Sequence, residues 1–376
     1  MSSIIPLFKP ACGEEEIEAV NRVMLSGWWG QGPEVEAFEE EFARYTGAEC
    51  AVAVNSGSMA LELGARAIGL THGIVVVPAL TFVSSAQAMQ HCGNMVVFAD
   101  IDEDTLCMNW HSASERLRGP RSCPKGIVPV WYGGHVQEKF PEDEFAGIRR
   151  IEDCAHAAGS KGTGDLGGIA CYSFHAVKNL ATGDGGMVTC DDPDVAAELR
   201  RLRWCGIDRS TWDRDKDARV GYGWDYNIPD DGWKAHMNDI TAAIGRVQLR
   251  YLDVRNQVRR GLSRIYNQEF ADLGWLKTPP VNVESSQHLY VVRVPAAYRP
   301  KFIEHMISKG VSAGVHYKPL NHYEALFGKR FDLACGKSNT PVTDRVWKTL
   351  VTLPLYPDMT AGEQAQVIQA VRSFKV

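Results

Sequence analysis

Lys178 lies in SFHAVKNLATGDGG (173–186), a single lysine among small and polar residues, just after an expected strand and just before a Gly-rich turn. An amine attacks a carbonyl only when uncharged, and desolvation or a neighbouring cation is what brings a lysine pKa toward neutrality. On its own a lysine ahead of a Gly-rich loop is most often a surface lysine, so it points to Schiff-base chemistry only in company. Asp153, in IEDCAHAAG (151–159), ends a short apolar strand, the place where an open α/β sheet exposes its ligand site. A carboxylate against a protonated ring nitrogen would favour that proton by roughly two to three pKa units. Asp is also a favoured helix cap, the ordinary reading of a lone Asp there. In VNSGSMAL (54–61) a strand runs through Asn-Ser-Gly-Ser into a helix. Such a turn aims N–H groups and hydroxyls at an anion such as phosphate, although an ordinary capped helix has the same pattern.

The elements that must hold these groups follow from periodicity. Apolar residues recur at helical spacing over 14–25 and 35–45. Strands are then expected at 50–54, 74–77, 95–99, 126–130 and 150–152, alternating with helices that include 58–68 and 84–91. Several of these strands are continuously apolar, as in a mostly parallel sheet covered on both faces. A further strand at 187–190 and a helix over 194–203 precede a polar, aromatic-rich stretch, 205–233, too long for a passive connection. Helix is expected again from 238 through about 264. The remainder, with strands near 289–294 and 311–315 and a final helix at 361–374, reads as a smaller α+β lobe. The chain therefore divides into a large lobe, 1–250, and a small one, 251–376.

The net charge of -6, with both signs scattered, provides no basic stripe for a nucleic acid or an anionic membrane. Ten cysteines without a CxxC pair, and an amino terminus lacking a basic start with an apolar run, suggest reduced thiols in a soluble, cytoplasmic protein. The histidines do not fall into metal-ligand spacing, so no metal is expected. No GxGxxG follows an early strand, and Gly162-Thr163-Gly164-Asp165 lies too far along to serve a dinucleotide.

The three motifs, in this order, resemble the DegT/DnrJ/EryC1/StrS family of sugar aminotransferases. The likeness extends through PLFKP (6–10), SGWWGQGPEVEAFE (26–39), PALTFVSSAQA (78–88), GVHY (314–317) and LPLYPDMT (353–360). The resemblance implies a pyridoxal-phosphate-dependent transferase of fold type I, with a seven-stranded sheet in the large domain. By the same resemblance Lys178 is the lysine that carries the cofactor as a Schiff base, and Asp153 is the partner of its ring nitrogen. His156 matches the position that hydrogen-bonds the phenolic oxygen, Phe82 the aromatic that stacks on the ring, and Gly57, Ser58, Ser173 and the N–H of Met59 the phosphate cradle. Trp29, Tyr132, His316 and Tyr317 match positions near the substrate.

The family is homodimeric, with sites completed across the interface by a segment similar to WKAHMNDITAAIG (233–245). Relatives often have Asn where this chain has His236, which would still donate to phosphate but with altered pH dependence. Tyr132-Gly133-Gly134-His135 also departs from the commoner pattern. The activity implied is transfer of an amino group from glutamate or glutamine to a nucleotide-linked 3- or 4-keto-deoxysugar. Related readings are a sugar dehydratase, a cyclitol aminotransferase and a non-catalytic regulator. Dehydratases of the family carry His at the Schiff-base position, and Lys178 argues for transfer.

Overall fold

The computed structural model describes residues 4–117, 125–137, 140–218, 225–323 and 340–376. Two helices, α1 (Glu14–Ser26) and α2 (Pro33–Thr46), lead into β1 (Cys50–Val54), α3 (Gly57–Ala67), β2 (Ile74–Pro78), α4 (Ser84–His91), β3 (Met95–Ala99) and α5 (Trp110–Arg116). There follow β4 (Lys125–Ile127), β5 (Arg149–Asp153), β6 (Ile169–Ser173), β7 (Gly186–Cys190), α6 (Pro193–Leu202) and α7 (Thr211–Ala218). After α8 (Asp239–Arg250) and α9 (Leu252–Glu269) come β8 (Tyr290–Arg293), α10 (Arg299–Ser308), α11 (Pro341–Val346), β9 (Leu350–Leu353) and α12 (Ala361–Arg372).

Seven strands form one sheet in the order β1-β7-β6-β5-β4-β2-β3, in which β7 alone runs against its neighbours. Every residue of β6 and β7 is buried, as in strands covered on both faces. One apolar cluster on the sheet contains Leu61, Leu63 and Leu199, and another Phe38, Phe42 and Phe174. A third gathers Tyr266, Tyr290, Phe302, Leu353 and Val367, together with Ile5 from the start of the chain.

The structure differs from expectation at four places. Strand β4 stops at Ile127 rather than 130, because Pro129 has no N–H for the ladder, and its carbonyl instead accepts from Asp153 N at 2.8 Å. The 311–315 segment makes single bridges, Ile5 to Val311 and Gly314 to Thr352, and the partner of β8 is β9. The expected helix over 238–264 is two helices, broken at Tyr251 (φ -101, ψ 0). The 205–233 stretch contains α7, whose Trp212 packs edge-on against Trp28 at 4.8 Å, and its residues 219–224 lie outside the described ones.

Asp239, only 1% exposed, fastens α8 to the start of α2. Its carboxylate accepts from Gly32 N (2.8 Å), Val35 N (3.1 Å) and Glu34 N (3.3 Å), N–H groups that a helix's first turn leaves without acceptors. Asp239→Ala would strand these buried donors and is expected to cost about 2 kcal/mol, read as a lower urea midpoint. An unchanged midpoint would show that water replaces the carboxylate.

Candidate active site

The site forms where β1, β5 and β6 end on the same side of the sheet. Asp153, the last residue of β5, is 4% exposed. Its Oδ2 accepts from Ser85 Oγ at 2.7 Å and its Oδ1 from Ala155 N at 3.1 Å, while Thr81 Oγ1 lies 2.8 Å from Ser85 Oγ. Burial raises its pKa, opposed by the Ser85 hydroxyl, the Ala155 N–H and the nearby Lys178 ammonium.

Lys178 sits on the turn between β6 and β7. That turn is tied by backbone bonds from Lys178 N to His175 O, Ala176 N to Gly183 O and Thr182 N to Phe174 O, each 2.8 Å. Burial lowers the lysine pKa to about 8, against the pull of Asp153. A substantial uncharged fraction therefore exists near neutrality, the property a lysine nucleophile needs.

The amino end of α3 packs onto the ends of β6 and β7. A Cβ on Gly57 would stand 2.7 Å from Ser173 Cβ, so only glycine permits this approach. The N–H groups of Gly57 and Ser58 belong to a first helical turn without intrahelical acceptors, and Ser173 Oγ lies beside them. The Met59 N–H, next in the same turn, donates to Ser56 Oγ at 3.2 Å, the capping bond of α3.

These groups surround a cavity of about 380 Å³, lined also by Phe82, His156, His316 and Tyr317. Phe82 is 54% exposed, a large apolar face turned to the opening. His156 Nδ1 accepts from Gly133 N at 3.3 Å, which places the proton on Nε2, 3.1 Å from the Tyr317 oxygen. Burial holds the His156 pKa well below its ordinary value, with Lys178 and His316 acting in the same direction. Burial, then Lys178, brings His316 down to about 4.

Three expected residues lie elsewhere. Tyr132 lines a neighbouring cavity of about 450 Å³ with Lys277 and Arg293, and its buried hydroxyl donates to His316 O. Trp29 and His236 line a third cavity, of about 330 Å³, with Trp28, Trp204 and Lys234. There His236 Nδ1 and Trp204 Nε1 are buried without a partner among the described residues. Burial, then Lys234 and Arg203, lowers the His236 pKa to about 4, so it is a neutral imidazole at pH 7. Sequence reasoning missed Ser85, which holds Asp153 and stands one helical turn after Phe82 in the same motif, and it missed Phe8, a residue of the Lys178 cavity wall.

A half-buried, partly uncharged lysine opposite a buried carboxylate, at the open end of a largely parallel sheet, has the architecture of an aminotransferase. The chain belongs to the DegT/DnrJ/EryC1/StrS aminotransferase family, whose model matches residues 10–372. It is 35% identical to the spore coat polysaccharide biosynthesis protein SpsC of Bacillus subtilis, over 98% of this chain and 97% of that one. Among solved structures it is similar to the aminotransferase TlmJ of Streptoalloteichus hindustanus (TM-score 0.85, 31% identity, 99% and 98% covered). Another is Spr1654 of Streptococcus pneumoniae, described as a sugar aminotransferase, in its PMP-form (TM-score 0.86, 28% identity, 98% of each chain). The same protein is also known in a PLP-form (TM-score 0.85).

Proposed function

We propose that this chain uses pyridoxal phosphate to transfer an amino group from glutamate or glutamine to a nucleotide-linked 3- or 4-keto-deoxysugar. The observation that carries the reading is the Lys178 amine, with a pKa of about 8, facing a buried Asp153. The residues fit the cofactor: a helix start crowded closely enough to need glycine for a phosphate, an open aromatic face for a ring, a carboxylate and an amine. Bound there, the cofactor would supply a carbonyl for amines to condense with and a protonated ring that withdraws electrons.

The chain's own residues do the rest. Gly57, Ser58 and Ser173 hold the phosphate, and Phe82 covers the ring and excludes water. Asp153, fixed by Ser85 and Ala155, keeps the ring nitrogen's proton. His156 Nε2–H is a donor for the phenolic oxygen. Lys178, in its uncharged form, accepts a proton from the substrate carbon and returns it at the next. His316 and Tyr317 border the sugar.

Trp29 and His236 do not line the Lys178 cavity. On this reading they serve the site of a second copy of the chain, in a cytoplasmic homodimer. A neutral His236 then donates one N–H to phosphate rather than a charge. Residues 1–250 form the cofactor lobe and 251–376 the smaller lobe, with the third apolar cluster as its core. The likeness to SpsC supports a product destined for polysaccharide.

The test is incubation of the cofactor-loaded protein with glutamate or glutamine and a panel of nucleotide keto-deoxysugars. The expected result is an aminated nucleotide sugar by mass spectrometry. Formation of keto acid from the donor without amination of any sugar would overturn the acceptor assignment, and absence of both would overturn the whole reading.

A further inference from the structure

His288 takes no part in the cavity wall, yet it is 2% exposed and joined to both residues that most need exact placement. Its ring lies 4.6 Å from the His156 ring, and Phe8 stacks on it at 5.7 Å. Its backbone N donates to Gly133 O at 2.8 Å, and Gly133 N in turn donates to His156 Nδ1. On the other side its Nδ1 is 2.7 Å from Oδ1 of Asn179, the residue after Lys178.

The direction of these bonds is fixed by groups that cannot exchange roles. Asn179 Nδ2 donates to the Ser286 carbonyl at 2.8 Å and to Asn256 Oδ1 at 2.7 Å. Asn256 Nδ2 donates to the Ala158 carbonyl at 3.0 Å, and its Oδ1 also receives an Arg259 N–H at 3.4 Å. Carbonyls only accept and a guanidinium only donates, so both amide orientations follow. Asn179 Oδ1 is then an acceptor, His288 carries its proton on Nδ1, and its Nε2 is bare. The two imidazoles, in contact and tilted by 38°, therefore hold opposite tautomers.

We propose that His288 is a positioning residue, which anchors the Lys178 turn through Asn179 and holds His156, through Gly133 and ring contact, as the Nε2–H tautomer. This rests on the proposed roles of Lys178 and His156, and it adds a residue that touches neither substrate nor cofactor. Charge keeps the device in one state. A second proton on His288 would face His156, Lys178, Arg259 and His316, and burial followed by these neighbours keeps its pKa well below the ordinary value.

The test compares His288→Leu, which lacks any donor, with His288→Asn, whose amide N–H can replace the bond to Asn179. In the full-length, cofactor-free protein, acetylation of Lys178 followed by peptide mass spectrometry against pH should have its midpoint near about 8. In His288→Leu water reaches a loosened turn, and the midpoint should rise by about one unit, with His288→Asn restoring it. In the loaded enzyme kcat should fall roughly 10- to 100-fold in His288→Leu, with KM for the amino donor within about twofold. A His288→Leu protein with the wild-type midpoint and kcat would overturn the proposal. Should that variant not fold, Asn179→Ala cuts the same link, and an unchanged midpoint there is equally fatal. The labelling needs neither sugar nor cofactor, so a wrong sugar assignment leaves it intact.

Discussion

Lys178→Met is expected to reduce amino transfer by on the order of 10⁴-fold or more, and at the same time to make the cofactor-free protein more stable below about pH 8. The first effect follows from removing the lysine that, alone among the described residues, lines the cavity with Asp153. The second follows from linkage. In the unfolded chain the lysine titrates near its ordinary 10.5, and in the folded protein near 8. Below 8 both states hold the proton and the folded one bears the full cost of a desolvated ammonium, about 3 kcal/mol at the upper end. Between 8 and 10.5 that cost fades as pH rises, and above 10.5 neither state is charged. The thermal midpoint of Lys178→Met should therefore exceed that of the wild type at pH 6.5, with the difference gone near pH 10.5. An equal offset at both pH values, or a variant less stable at pH 6.5, would mean that the lysine is not stored against its charge.

The two effects together separate a site built for chemistry from one built for stability. A buried ammonium is a cost that the fold carries elsewhere, through the apolar clusters on either side of the sheet. Asp239 stands in contrast. It is more buried than Lys178, but it meets three N–H groups and holds two helices together.

How much of this was legible depends on whether a residue's surroundings are local in the chain. Strands β1, β2, β3 and β7 were readable because a strand buried on both faces must be continuously apolar, and β6 follows the same rule. Lys178, Asp153 and the Ser56-Gly57-Ser58 turn were readable because each follows a strand end, where chain direction alone assigns the open side of the sheet. Two things were not readable. The pairing of β8 with β9 joins segments nearly sixty residues apart, and the short LVTL run carries no period of its own. The link from His288 to Asn179 spans 109 positions between polar residues, and no local pattern announces it. Trp29 and His236 show a different difficulty: their types were legible, but the cavity they line is not the one holding Lys178.

Asp153→Asn should lower kcat on the order of 10³-fold while leaving the fold and phosphate binding intact, and here the hydrogen bonds decide what the experiment means. The carboxamide has the shape of the carboxylate, and its oxygen and nitrogen can each keep a hydrogen bond. Its oxygen can take the place of Oδ1 and accept from Ala155 N–H, while its NH₂ donates to Ser85 Oγ. Ser85 then turns its own proton to Thr81 Oγ1, 2.8 Å away, a contact in which either hydroxyl can donate. Both hydrogen bonds of the carboxylate are kept, so loss of structure is not expected. Because burial raises the Asp153 pKa, ionising it costs the folded state free energy at pH above the ordinary carboxylate range. Removing that charge should keep or raise the thermal midpoint of the cofactor-free protein at pH 7, and the gain should vanish on acidification, once the wild-type carboxyl is protonated in both states. What the variant loses is only the negative charge opposite the ring nitrogen. A variant with an undiminished midpoint and a kcat within tenfold of the wild type would therefore show that the ring keeps its proton without Asp153, and would remove the carboxylate from the mechanism.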